Sequence, residues 1–139
     1  MGRANAGKVT VGDPLPSLTR TVTTRQLVQY AGASGDFYEI HYDHEFAKSK
    51  GLPGVIVHGA LKNAFLAKMV TDWMGAEGRL LSMSVRYRDM DVPGDPLTCH
   101  GKVVDVRADG TVRCELWLTN GKGVTTTTGD AVVRLSPAR

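Results

Sequence analysis

A chain of 139 residues with 42% hydrophobic and 22% charged positions has the makeup of one ordinary globular domain, here expected to span residues 1–139. The formal charge of +3 arises before Asp36, from Arg3, Lys8, Arg20 and Arg25 against Asp13; beyond that point the charges balance, so no clustered basic face marks a nucleic-acid binder. No apolar signal region follows Met1 and no apolar run is long enough to cross a bilayer, so the expectation is a cytoplasmic protein without a membrane role.

Residues 1–7 are expected to be a disordered lead-in, and 8–22 extended chain turned by Gly12-Asp13-Pro14 and Pro16. A helix opens at Thr23 or Thr24, whose hydroxyl can cap it, presents Leu27, Val28, Tyr30 and Ala31, and ends at Gly32, Ser34 and Gly35. The loop Asp36-Phe-Tyr-Glu-Ile-His41 follows. Asp43 then caps a short helix through Lys50, with Gly51 suited to its left-handed terminus. Leu52-Pro53-Gly54 is a turn, Val55–Val57 a brief apolar run, and His58-Gly59 leads into a main helix from about Ala60 to Met74. That helix is apolar over most of its circumference, only Lys62, Asn63, Lys68, Thr71 and Asp72 being polar, which predicts that other structure nearly surrounds it.

The remainder predicts strands at Leu80–Arg88, Leu97–Arg107, Thr111–Thr119 and Val124–Leu135, joined by turns at Pro93–Pro96, Ala108–Gly110 and Asn120–Gly123. The Thr125–Thr128 run falls on the last of them. Arg86 and Arg88 alternate with Val85 and Tyr87 on a strand, a pattern that suits solvent or an acidic ligand such as a nucleotide phosphate. Cys99 and Cys114 lie on separate strands; two cysteines define neither a disulfide framework nor a thiolate metal site, and are expected as reduced, buried thiols. His100 reads as a structural residue on a strand. Short turns between neighbouring strands after one long apolar helix predict an α+β fold, a curved antiparallel sheet wrapped around that helix.

Candidate chemistry concentrates between Ser34 and His41. A carboxylate and an imidazole five residues apart on an irregular loop can converge on one small ligand, and a water held between them can lose a proton to one while the other orients it. Asp36 as a turn residue and His41 as a satisfied buried histidine is the plainer alternative. Gly59 adds a second element, because a helix amino terminus leaves backbone N–H groups without intrahelical partners, and these can stabilise negative charge on a thioester oxygen. Asp43, His44, His41 and His58 also allow a metal site, though His-x-x-His spacing alone is weak evidence and no metal is expected.

The run Tyr30-Ala-Gly-Ala-Ser-Gly-Asp36, followed by Ile40-His41-Tyr-Asp43, Ala47, Gly51 and Val57-His58-Gly59, resembles the hydratase motif of MaoC-like dehydratases, the (R)-specific enoyl-CoA hydratases of the hotdog superfamily. The match in spacing covers residues 30–61. The resemblance implies that Asp36 and His41 are the catalytic pair, that the Gly59 amide forms the oxyanion hole, and that Tyr38, Val57 and His58 lie against the substrate. It implies syn addition of water across a trans-2-enoyl thioester, or its removal from an (R)-3-hydroxyacyl thioester. It further implies no metal or redox cofactor, with coenzyme A or phosphopantetheine entering only as the substrate's handle. Hotdog domains normally pair, so a homodimer or a heterodimer with another hotdog subunit is expected. Where the family commonly carries Asn-Pro this chain has Tyr38-Glu39, which leaves the pair in place and opens the identity of the acyl group. A hotdog acyl-CoA thioesterase is the rival activity; such enzymes usually rely on one carboxylate near the helix start, and Val55–Lys62 contains no acidic residue. A subunit that completes a partner's active site is the rival without chemistry of its own, and the presence of both Asp36 and His41 makes this chain the catalytic half of any mixed assembly.

Overall fold

One sixteen-residue helix organises the computed structural model, which describes residues 4, 6 and 8–137. The chain runs β1 (Leu18–Thr21), α1 (Thr24–Ser34), a 3-10 turn (Glu39–His41), α2 (His44–Ser49), α3 (Gly59–Met74), and then β2 (Arg79–Tyr87), β3 (Pro96–Val106), β4 (Thr111–Thr119) and β5 (Thr125–Arg134). The five strands form one antiparallel sheet in the order β1-β3-β4-β5-β2. α3 touches every one of them, so the sheet curls around it as the α+β expectation required. β1 and an isolated bridge between Pro14 and Lys102 account for the extended character before Val22.

Alternation explains the sheet. On β4, Val112, Cys114, Leu116 and Leu118 are buried while Arg113 and Glu115 are exposed; on β3, Leu97, Cys99, Gly101 and Val103 point inward. Leu66, Met69 and Val70 of α3 complete the core against them. Both cysteines are free and buried within it, and burial pushes each thiol up to about 12, which keeps them protonated and inert.

The caps follow the side chains predicted for them. The Thr23 hydroxyl accepts from the Gln26 amide, Gly35 closes α1 in the left-handed region at φ 78°, and the Asp43 carboxylate accepts from the Phe46 amide at the start of α2. One expectation is revised. α3 is not surrounded within one chain: Leu61, Lys62, Phe65, Leu66, Met69 and Val70 form its buried stripe, while Ala60, Ala64, Lys68, Thr71 and Asp72 are exposed. Alanines made the helix read as apolar all round, but their small side chains tolerate solvent. Residues 1–3, 5 and 7 of the expected lead-in lie outside the described residues; Ala4 is buried with its amide donating to the Trp73 carbonyl, and the Ala6 amide donates to that of Ser136.

Candidate active site

The loop between α1 and α2 delivers the two groups that its sequence singled out. Gly35 turns the chain out of α1, and the Asp36 amide donates to the Ser34 hydroxyl, which itself donates to the Tyr30 carbonyl. The 3-10 turn then swings His41 back, its amide donating to the Tyr38 carbonyl. The Asp36 Oδ2 and His41 Nε2 atoms end 3.7 Å apart, with the carboxylate about half exposed and the imidazole buried. That separation is too long for a strong direct hydrogen bond, while a water oxygen about 2.8 Å from each atom fits at the apex between them.

The tautomers follow from acceptors that cannot donate. His41 Nδ1 lies 2.9 Å from the Ile56 carbonyl, so Nδ1 carries the hydrogen, and Nε2 of the neutral ring presents its lone pair toward Asp36. His58, fully buried, stacks on His41 with ring centroids 3.8 Å apart and planes 19° from parallel. Its Nε2 donates to the Asp36 carbonyl at 3.3 Å, and Tyr30 packs edge-on against its other side. His58 Nδ1 has no hydrogen-bond partner among the described residues, and protonating it would bury an unpaired N–H and a charge beside His41. Burial, reinforced by His41, accordingly holds the His58 imidazole below its usual range, against smaller opposing effects of Asp36.

A cavity of about 410 Å³ opens beside the pair, lined by His41, Ile56, Val57, Gly59, Lys62, Tyr87, Arg88, Asp89 and Met90. Gly59 is the first residue of α3, and a Cβ built on it would meet Cε2 and Cζ of Tyr87 at 2.9 Å. The glycine therefore makes room for an aromatic ring from the end of β2 as well as for any ligand. Of the residues expected against a substrate, Val57 lines this cavity, and Tyr38 stands half exposed, edge-on to both His41 and Phe46. His58 lies beneath the pair and not on the cavity wall. Glu39 is exposed, and Arg88 reaches the cavity with its Nε donating to the Thr128 hydroxyl.

The metal alternative changes composition. Asp43 is committed to capping α2, and the His44 ring packs against Gly54, so neither joins a cluster. Asp36, His41 and His58 do place donor atoms within 4.8 Å of one another. In near-parallel stacked rings, however, the in-plane lone pairs of the two remaining nitrogens cannot both aim at one ion.

The sequence did not point to Tyr87 or to the surroundings of Lys62. This lysine is 2% exposed, its Nζ donating to the Asp91 carboxylate at 2.9 Å and to the Asp89 carbonyl at 3.0 Å. Asp91 is equally buried and also accepts from the Thr126 hydroxyl at 2.6 Å. The signal was present: positions 58, 61, 62, 65 and 66 share one face, and a lysine on that stripe demands a buried counter-charge.

A family model described as MaoC like domain matches residues 7–135. The chain is 37% identical over 86 residues to a fatty acid synthase subunit beta of Aspergillus oryzae, a match covering 54% of this chain. It spans 4% or less of the length of the fatty acid synthase beta subunits that it matches. It is 29% identical over 102 residues to the 3-oxo-4,17-pregnadiene-20-carboxyl-CoA hydratase beta subunit of Mycobacterium tuberculosis, covering 73% of this chain and 78% of the relative. Among solved structures, the (R)-hydratase from A. caviae involved in PHA biosynthesis superposes with a TM-score of 0.87 at 25% identity, over 94% of this chain and 99% of that one.

Proposed function

The chain belongs to the MaoC-like domain family, and from that premise we propose that it is a hydratase or dehydratase, interconverting a trans-2-enoyl thioester and an (R)-3-hydroxyacyl thioester. The observation that carries the assignment is the placement of His41, whose Nδ1 is taken up by the Ile56 carbonyl at 2.9 Å and whose Nε2 lies 3.7 Å from the Asp36 carboxylate. In the hydration direction a water donates one hydrogen bond to each group. His41 Nε2 takes a proton as the water oxygen bonds to C3, and the electron pair of the C2–C3 double bond moves toward the thioester carbonyl. The Gly59 amide, free at the helix start, donates to the oxygen on which that charge collects. The imidazolium then returns the proton to C2, on the face from which the hydroxyl arrived. The net change is one water added, with the thioester intact.

The remaining parts take their places around this step. Val57 and Tyr87 form cavity wall, and Tyr38, half exposed and edge-on to His41, is assigned to the acyl group. The Arg88 guanidinium, exposed at the cavity and bonded through Nε to Thr128, suits a phosphate of coenzyme A or phosphopantetheine. The chemistry asks for no redox cofactor. Among the described residues no helix is long and apolar enough to cross a membrane. The Mycobacterium relative is named as a beta subunit, and pairing with a second hotdog subunit, identical or not, suits the exposed face of α3.

The test is loss of enoyl-thioester absorbance across a panel of trans-2-enoyl-CoA substrates, with and without candidate partner subunits. Asp36→Asn and His41→Ala are expected to slow turnover by about 10²–10⁴-fold while the protein stays folded. Near-full activity in either variant would overturn the mechanism, and release of free thiol from acyl-CoA without hydration would assign the thioesterase activity instead.

A further inference from the structure

A line of polar contacts runs from the first turn of α3 to the imidazole of His41. Lys62 Nζ holds both the Asp89 carbonyl and the Asp91 carboxylate, and Thr126 holds that carboxylate from β5. The Thr126 carbonyl also accepts the amides of Arg88 and Asp89, so the segment after β2 is fixed along its length. From there the Asp91 carbonyl accepts the Val57 amide at 2.8 Å. On the other side of the same short stretch the Ile56 amide donates to the Ile40 carbonyl at 3.1 Å, and the Ile56 carbonyl accepts His41 Nδ1–H at 2.9 Å.

Burying two charges is expensive, and apolar residues of similar volume commonly pack as well or better, so bulk stability is a poor reason for this pair. What an ion pair supplies that a methyl contact does not is direction. The Lys62 ammonium fixes where the Asp91 main chain lies, Asp91 fixes Val57, and the Val57–Ile56 peptide sets the carbonyl that selects the His41 tautomer. Lys62 stands three residues after Gly59, one turn along the same helix, so the device ties the donor at the helix start to the base in the loop.

We propose that Lys62 and Asp91 are positioning residues, whose buried ion pair holds the Ile56 carbonyl where it keeps the hydrogen of His41 on Nδ1 and leaves Nε2 free to act. The catalytic consequence rests on the hydratase assignment above; the tautomer does not, and the two are read separately.

The experiment compares the full wild-type chain with Lys62→Met/Asp91→Leu, which removes both charges and leaves neither ion unpaired. Nitrogen-15 NMR of the histidine side chains, at a pH where His41 is neutral, reports which ring nitrogen carries the hydrogen. The wild type is expected to show His41 as the Nδ1–H form alone, and the folded double variant a mixture. In the hydration assay kcat should fall at least tenfold while KM changes less than threefold, since cavity contacts other than Lys62 persist. A folded double variant with the wild-type tautomer and kcat would overturn the proposal. If the double variant does not fold, Lys62→Met/Asp91→Asn takes its place: it removes the ion pair while keeping a polar group for the Thr126 hydroxyl, and an unchanged His41 tautomer there also overturns the proposal. A wild type that shows the Nδ1–H form but hydrates no thioester would instead count against the assigned reaction, leaving the positioning result standing.

Discussion

Gly59→Ala separates the fold's need for that glycine from the reaction's. The backbone at Gly59 does not lie in the left-handed region, so alanine meets no backbone penalty and gains about 0.4–1 kcal/mol through a less flexible unfolded chain. Against this, the new Cβ falls 2.9 Å from Cε2 and Cζ of Tyr87 and 3.1 Å from Cδ2, where carbon atoms prefer about 3.5–4.0 Å. The ring must retreat by roughly an ångström. It is 51% exposed and these atoms lie at its far end, so the movement costs about one off-rotamer penalty, 0.5–1.5 kcal/mol. The two effects nearly cancel, and thermal or denaturant unfolding should place the variant within about 1 kcal/mol of wild type. The reaction has no such compensation, because the methyl group and the displaced ring both crowd the amide assigned to the thioester oxygen. Complete loss of an oxyanion donor costs about 10²–10³ in kcat, so partial obstruction is expected to lower kcat/KM by roughly 10–10²-fold. Comparing Gly59→Ala/Tyr87→Ala with Tyr87→Ala alone isolates the methyl group's own contribution. A folded Gly59→Ala protein with unchanged kcat/KM would remove the amide from the mechanism.

Other perturbations follow from the same geometry. His58 is depressed below its usual 6.5, so between its folded-state value and about pH 6.5 the unfolded chain binds more protons. Stability should be level above that window and fall as pH drops through it; His58→Phe, which keeps the stack on His41 but cannot titrate, should flatten this part of a denaturation-versus-pH curve. Lys62→Met alone strands the Asp91 carboxylate in the core and should cost about 3–5 kcal/mol in urea unfolding, with Lys62→Met/Asp91→Leu recovering most of it. Leu66→Ala, at a fully buried position, should cost about 2–5 kcal/mol, whereas Lys68→Ala, which deletes an exposed i,i+4 pair with Asp72, should change stability by no more than about 0.5 kcal/mol.

The elements with strictly local causes are legible in the sequence. Thr23 and Asp43 as caps, Gly35 as a left-handed stop and the alternation along β4 each depend on residues within a few positions of one another, and each lies where it was expected. The motif from Tyr30 to Gly59 also brought Asp36, His41 and Gly59 to one region. What it could not carry was contact across the sheet. The pairing of Lys62 with Asp91 and Thr126 joins α3, the segment after β2 and β5, and Tyr87 meets Gly59 only because the sheet curls around the helix. The solvent-facing side of α3 was misjudged for a related reason: hydropathy does not tell an alanine that packs from one that merely tolerates water.

The two histidines show how similar side chains acquire different duties from their carbonyl partners. His41 gives its hydrogen from Nδ1 and turns Nε2 toward the carboxylate; His58 gives its hydrogen from Nε2 and buries Nδ1 without a hydrogen-bond partner among the described residues. Stacked at 3.8 Å, the rings would repel if both were charged, and burial, reinforced by His41, lowers the basicity of His58. His41 Nε2, 3.7 Å from the Asp36 carboxylate, is the ring nitrogen placed to share a water with it. Exchanging the ring's charge behaviour while keeping its shape, as in His58→Phe, leaves that placement intact, so its hydration rate should change far less than that of His41→Ala. Equal losses in the two variants would mean that both rings handle the proton, and the division of labour drawn from the carbonyls would be wrong.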